Sequence, residues 1–290
     1  MHSREPPKAV IEQLDALLGG AAGRVRPTTG GDSFASWFVE RGDVRLFVKV
    51  GRPGDAPWLA AEAEGLQWLA AAQAVRVPAV RGLGSDDTPW LALEWIDVHP
   101  ATADAQAELG RALARLHRAG APSCGHGRDN FMGRVPQDNR IDDEWARFYG
   151  ERRLLPLVRR TRDAGSLEAP LAAAIEGVVA RLPALVGPPE PPARLHGDLW
   201  AGNVLFDAAR APVLVDPAVY GGHREVDLAM MRLFGGFARA CFDAYDEVAP
   251  LAPGAAERVP LYQLYPLLVH VAMFGDSWCG RLASCVDALR

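Results

Sequence analysis

One stretch of this 290-residue chain constrains its fold more than any other: residues 194–220, RLHGDLWAGNVLFDAARAPVLVDPAVY. A tight polar turn leads into two short apolar runs, Val204-Leu205-Phe206 and Val213-Leu214-Val215. Residues 207–212 supply turn-forming types between them, so the pattern predicts a β-hairpin. Asp198 lies in the turn before the first run, Asn203 stands at its start, and Asp216 ends the second run. Pairing the runs brings Asn203 and Asp216 to one mouth, with Asp198 across from them. Phosphoryl transfer needs such a set: one carboxylate to orient and deprotonate an acceptor hydroxyl, and an Asn/Asp pair to hold Mg²⁺ on nucleotide phosphates. Asp and Asn are also ordinary turn residues, so a plain hairpin with surface acids would show the same residue types.

Upstream, residues 9–18 carry apolar positions at Val10, Leu14, Leu17 and Leu18, the spacing of a short amphipathic helix closed by Gly19-Gly20. Three strand-like runs follow, at 25–29, 34–40 and 44–50, joined by turns short enough for an antiparallel meander. The first turn is Gly30-Gly31-Asp32-Ser33. Glycines there let backbone N–H groups approach phosphate oxygens, although a simple hairpin turn has the same composition. In the third run Val44, Leu46, Val48 and Val50 share one face, and Arg45, Phe47 and Lys49 the other. Lys49 could be a solvated edge residue or could point into a site. Residues 58–70 read as a helix with Glu62 in its first half, and a last strand spans 90–96.

Beyond it, residues 103–119 form a strongly amphipathic helix ended by Gly120, with His117 read as a packed or capping residue. A Gly-, Asn- and Asp-rich surface segment is expected over 120–140. Further helices are expected over 144–158, 167–185, from 225, over 238–248 and over 261–274. The overall expectation is an α+β chain: a small antiparallel sheet with one helix in an N-terminal lobe (1–96), and a mostly helical C-terminal lobe (97–290).

HGDLWAGN, followed by VLVDPAVYGGHREVDLAM, resembles the fructosamine kinase (ketosamine 3-kinase) family, a branch of the aminoglycoside-phosphotransferase and protein-kinase-like group. AEAEGLQWL and the run NFMGRVPQDN with W..FY..RRL resemble the same family, so the likeness spans nearly the whole chain. The resemblance implies a two-lobed protein-kinase-like fold, with ATP and Mg²⁺ as cofactors. Asp198 would be the catalytic base, and Asn203 and Asp216 the metal ligands. Lys49, paired with Glu62, would hold the nucleotide phosphates together with loop residues Gly30, Gly31, Asp32 and Ser33. Glu64 is a rival partner, but it lies about 200° around the helix from Glu62 and cannot face the same lysine. The backbone of Glu94, Trp95 and Ile96 would meet the adenine edge. His196 and Asp227 would support the catalytic turn, and Trp200, Gln137 and Asn139 are candidate sugar contacts. Asp32 departs from the small or cysteine residue found in many relatives, which removes any loop-thiol switch. The implied substrate is a ketosamine phosphorylated on its C-3 hydroxyl, with a role in deglycation. A small-molecule kinase of aminoglycoside or choline type and a non-catalytic scaffold remain the alternatives.

Composition excludes other classes. The net charge of −5 offers no basic field for nucleic acid or an anionic membrane surface. The N-terminus has no apolar signal-like core, and no apolar run reaches a membrane span. Cys124, Cys241, Cys279 and Cys285 show no CxxC spacing and read as buried thiols of a cytoplasmic protein, expected to be a monomer. There is no GxSxG and no HExxH.

Overall fold

The computed structural model describes residues 6–19, 23–28, 34–84 and 87–290. The glycine-rich turn residues Gly30, Gly31, Asp32 and Ser33 therefore lie outside the described residues. In the N-terminal lobe, α1 (Lys8–Leu18) precedes β1 (Val25–Pro27), β2 (Ala35–Arg41) and β3 (Val44–Val50). After these come α2 (Ala56–Ala70), β4 (Val80–Leu83) and β5 (Trp90–Glu94). The five strands form one antiparallel sheet in the order β1-β2-β3-β5-β4. The period-2 alternation of β3 divides it between two cores. Leu46, Val48 and Val50 pack with Val10 and Leu14 of α1 and with Trp37 and Trp90. Phe47 and Lys49 turn the other way, toward α2, where Leu59 and Leu66 meet Leu91 and Leu93. Both faces are thus covered, which is why β5 is apolar along nearly its whole length.

The C-terminal lobe opens with α3 (Ala103–Ala119), capped as its sequence dictates. Thr102 accepts from the Ala105 N–H, Asp104 sits in the first turn, and Gly120 follows at φ 72°. A hairpin of β6 (Asn130–Met132) and β7 (Val135–Gln137) follows. This corrects the surface segment expected over 120–140: Asn130, Gln137 and Asn139 there are buried. The helix expected over 144–158 is three pieces: α4 (Trp145–Phe148), a π-helical turn (Tyr149–Leu154) and α5 (Leu155–Asp163). Glu144 caps α4 by accepting from the Ala146 and Arg147 N–H groups, and the Leu155 N–H reaches back five residues to the Gly150 carbonyl. The stretch expected as one helix over 167–185 divides into α6 (Ala169–Val179) and α7 (Leu182–Leu185), whose second residue is Pro183.

Two antiparallel pairs close around the 194–220 stretch. The outer pair is β8 (Ala193–Leu195) with β11 (Tyr220–Gly222), and the inner is β9 (Val204–Phe206) with β10 (Pro212–Leu214). The predicted hairpin is the inner pair. α8 (Glu225–Phe234), α9 (Arg239–Val248), α10 (Ala255–Phe274) and α11 (Cys279–Asp287) complete the lobe. All four thiols are free, but only Cys124 and Cys241 are buried, whereas Cys279 and Cys285 are half-buried. No helix of the described residues is long and apolar enough to cross a membrane.

Candidate active site

The nested pairs hold two turns against each other. Between β8 and β9, Gly197 adopts φ 84°, and a Cβ there would lie 2.0 Å from the Ala218 carbonyl oxygen, so only glycine fits. Between β10 and β11, Asp216 takes a left-handed conformation (φ 53°), which Asp tolerates better than most residues. The Ala218 N–H donates to the His196 carbonyl and ties the two turns together at 2.9 Å.

Asp227, fully buried on α8, braces the first turn. Its carboxylate accepts from the backbone N–H groups of His196 (2.8 Å) and Gly197 (2.9 Å) and contacts His117 Nε2 at 3.1 Å. Burial alone would raise its pKa, but the donors outweigh burial and hold it below the usual carboxylate range. His117 is in turn fixed through Nδ1 by the Tyr245 hydroxyl at 2.8 Å. His196 Nε2 contacts the Val215 carbonyl at 2.9 Å, and burial pushes its pKa below the ordinary imidazole value, so the ring is a neutral brace. Replacing Asp227 by Ala strands two backbone donors and an imidazole in a closed interior. A loss of about 3 kcal/mol or more is expected, read as a lower urea midpoint at unchanged slope.

Asn203 links the three candidate chemical groups. Its Nδ2 donates to the Asp198 carbonyl (2.8 Å), lies 3.4 Å from Asp198 Oδ2 and 3.4 Å from the Asp216 carbonyl. The Asp198 carboxyl sits half-buried at the floor of a cleft of about 500 Å³ between the lobes. Burial first, and the neighbouring Asp216 charge second, raise its pKa to about 7 despite the Asn203 contact. Lys49 reaches the same cleft from β3. Its ammonium bonds both carboxylate oxygens of Glu62, at 2.8 and 2.9 Å, and also contacts Asp216 Oδ1. Burial disfavours the Lys49 charge, but the two carboxylates overcome it and carry its pKa above the ordinary lysine value. Glu64 faces away, toward His126 and Arg128.

Other predicted site residues are placed differently. The Glu94 N–H donates to the Ala79 carbonyl and the Trp95 N–H to the Arg45 carbonyl, so both amides are consumed by the fold. The Glu94 carboxylate is held by Arg76 and the Ala79 N–H. Neither amide is therefore free for the adenine edge expected there. Gln137 and Asn139 do not face the cleft. Gln137 donates to Asn130 Oδ1 and the Ala218 carbonyl and accepts from the Tyr265 hydroxyl, while Asn139 donates to Asn130 Oδ1 and the Arg128 carbonyl. These amides brace the chain just after Asp216. Trp200 does line the cleft, its ring lying over Gly202, where a Cβ would come within 2.2 Å of it.

Trp200 also meets Phe234 edge-on, at 6.2 Å between ring centroids. Phe234 continues into His270 (5.1 Å) and Trp278 (5.9 Å), forming an aromatic wall of the cleft. The sequence reading missed this wall. Its signal was the apolar end of α10, Val271-Ala272-Met273-Phe274, which runs unprotected into Gly275-Asp276-Ser277-Trp278. Among the described residues the cleft's carboxylates are Glu62, Asp198 and Asp216 alone, and no cluster of three or more His, Cys, Asp or Glu side chains could cage a metal. An Asn and an Asp at one mouth fit Mg²⁺ nonetheless, since that ion takes few protein ligands and completes its shell with phosphate oxygens and water.

Comparison with known proteins gives a consistent result. A family model described as fructosamine kinase matches residues 8–290. An Enterococcus faecium protein named ketoamine kinase is 38% identical over 267 residues, covering 91% of this chain and 95% of the relative. The chloroplastic protein-ribulosamine 3-kinase of Arabidopsis thaliana is 35% identical over 256 residues, covering 83% of this chain and 75% of the relative. A crystal structure described as a fructosamine-3-kinase from Thermobifida fusca superposes with a TM-score of 0.89 at 41% identity, over 97% of this chain and 98% of that one. An aminoglycoside phosphotransferase at 16% identity and TM-score 0.62 shares the fold alone, which makes the architecture protein-kinase-like.

Proposed function

The chain belongs to the fructosamine kinase family, phosphotransferases acting on a hydroxyl group, and on that premise we propose that it phosphorylates the C-3 hydroxyl of ketosamines with Mg-ATP. The observation that carries the reading is the convergence of Asp198, Asn203, Asp216 and Lys49 on one interlobe cleft. Asp198 orients the acceptor hydroxyl and takes its proton; its raised pKa makes it a stronger base than an exposed Asp. Lys49, steadied by Glu62, grips the α- and β-phosphates. Asn203 and Asp216 would hold Mg²⁺, and that ion would supply neutralisation of the charge developing on the phosphates. The biological role is deglycation of fructosamine or ribulosamine adducts, by a cytoplasmic monomer.

The aromatic wall bears on the acceptor. A drug-phosphorylating site for polycations needs many acids, and among the described residues this cleft has three, of which Glu62 and Asp216 already share Lys49. Trp200 offers a flat face to the C–H-rich face of a sugar. The wall also favours a second reading, a choline-type acceptor, because aromatic faces attract alkylammonium groups. ATP-consumption assays with fructosyl-lysine, ribulosyl-lysine, kanamycin and choline separate these, with turnover expected on the two ketosamines. Trp200→Ala should raise the ketosamine KM about fivefold, for a lost stacking contribution of about 1 kcal/mol. Unchanged KM and kcat would remove the platform role.

A further inference from the structure

Lys49 meets Glu62 on one side and Asp216 on the other, and those two carboxylates belong to different lobes. The β6–β7 hairpin touches the carrier of each. At its base, Asn130 donates to the Val219 carbonyl (2.7 Å) and Gln137 to the Ala218 carbonyl (3.2 Å), just beyond Asp216. At its tip, Arg134 Nη1 donates to Asp55 Oδ1 at 2.7 Å, and Asp55 directly precedes α2, the helix that carries Glu62. The Arg134 guanidinium also lies 4.8 Å from the Trp58 ring centroid and 5.0 Å from that of Phe34. Trp58, in the first turn of α2, meets Phe131 of β6 at 4.7 Å between centroids.

This grip on α2 is firm for physical reasons. Asp55 Oδ2 accepts from the Arg52 N–H at 2.9 Å, so the carboxylate is held through both oxygens. Its side chain is 13% exposed, which screens the pair less than an open surface pair. The planar guanidinium stacks on aromatic faces as an ammonium cannot. By contrast, the pair between Glu64 of the same helix and Arg128 leaves Arg128 74% exposed. A helix is stiff over two turns, so fixing Asp55 also fixes Glu62, about 10 Å further along the axis. We infer that Arg134 is a positioning residue: through Asp55 and α2 it keeps Glu62 at the distance from Asp216 at which one Lys49 ammonium serves both, a role that rests on the proposed phosphate grip of Lys49. The hairpin is then a strap between the two carboxylates, anchored at its base by amides and at its tip by a cation.

The sequence makes the test direct, because Lys8 and Lys49 are its two lysines and Lys8 is 90% exposed. In the full chain with ¹⁵N-labelled lysine, the Nζ–H signal of Lys49 reports its carboxylate cage, and calorimetry reports the Kd for Mg-AMP-PNP. In Arg134→Gln, well below its melting temperature, exchange of the Lys49 ammonium protons with water should quicken about tenfold, and the Kd should rise about tenfold. Asp55→Asn removes the same pair from its other side and should reproduce both changes, so either variant decides should the other fail to fold. The double variant should lose no more than one of them, and Arg134→Lys, which keeps the charge, should recover part of the loss. Arg128→Gln should move neither readout. Quicker exchange at an unchanged Kd would keep the strap and take the phosphate role from Lys49. A Lys49 signal unmoved in the single variants, losses that add in the double variant, or an equal effect of Arg128→Gln would overturn the strap itself.

Discussion

Asp198→Asn is expected to lower kcat by about 10³-fold or more while Mg-ATP still binds, because the amide keeps the shape but cannot accept the acceptor's proton. The pH dependence identifies the group. In the wild type the free-enzyme profile should rise through about pH 7, where the Asp198 carboxyl ionises, and the residual activity of the variant should lack that limb. Stability should move in the opposite direction. A carboxyl whose pKa is raised on folding stabilises the folded state only while protonated, and that contribution fades as pH climbs from the unfolded value, about 4, through the folded one. The variant escapes this loss. Its melting temperature should therefore gain on the wild type between pH 4 and pH 8. A variant that melts early at pH 8, or that loses nucleotide binding together with kcat, would show that Asp198 serves the fold and not the proton transfer.

Legibility in the sequence followed the range of the forces involved. α3 was readable to the residue because its Thr102 cap, apolar stripe and Gly120 stop are all local. The β9–β10 hairpin and the alternation of β3 were readable for the same reason, and Lys49 and Glu62 could be paired through the family pattern. The β8–β11 ladder was not. Its strands are three residues each, 25 positions apart, and one of them is Tyr220-Gly221-Gly222, with no strand signature. The 120–140 segment misled because its Asn and Gln residues look like loop residues. Here they replace backbone partners: Asn130 donates to the Val219 carbonyl and Gln137 to the Ala218 carbonyl. Whether a side-chain amide faces water or satisfies a buried carbonyl depends on what the fold brings opposite it, and no window of sequence contains that. The Glu94 and Trp95 amides fall in the same class, taken by Ala79 and Arg45 from elsewhere in the sheet.

Asp216→Asn should act on nucleotide affinity itself, and the structure gives the reason. Lys49 stands between Glu62 and Asp216, so a buried and a half-buried carboxylate share one ammonium. Burial works against the Asp216 charge, but Lys49 prevails and holds its pKa below the usual range, so the side chain stays ionised and ready for a cation. Removing that charge leaves Lys49 its bidentate contact with Glu62, and it relieves the repulsion that Asp216 exerts on both Glu62 and Asp198. The folded protein should therefore tolerate the change better than the loss of an isolated buried pair, which costs about 3–5 kcal/mol. Metal-dependent binding should not tolerate it. Losing the only charged ligand of the pair should weaken Mg-AMP-PNP binding by about 100-fold, about 2.7 kcal/mol. Binding of the same nucleotide without Mg²⁺, which rests on Lys49, should change little. Calorimetric titrations across a range of Mg²⁺ concentrations distinguish the roles: affinity should climb steeply with metal in the wild type and in Asp198→Asn, and stay nearly flat in Asp216→Asn. An equal loss in both variants would mean that base and metal ligand have been assigned to the wrong carboxylates.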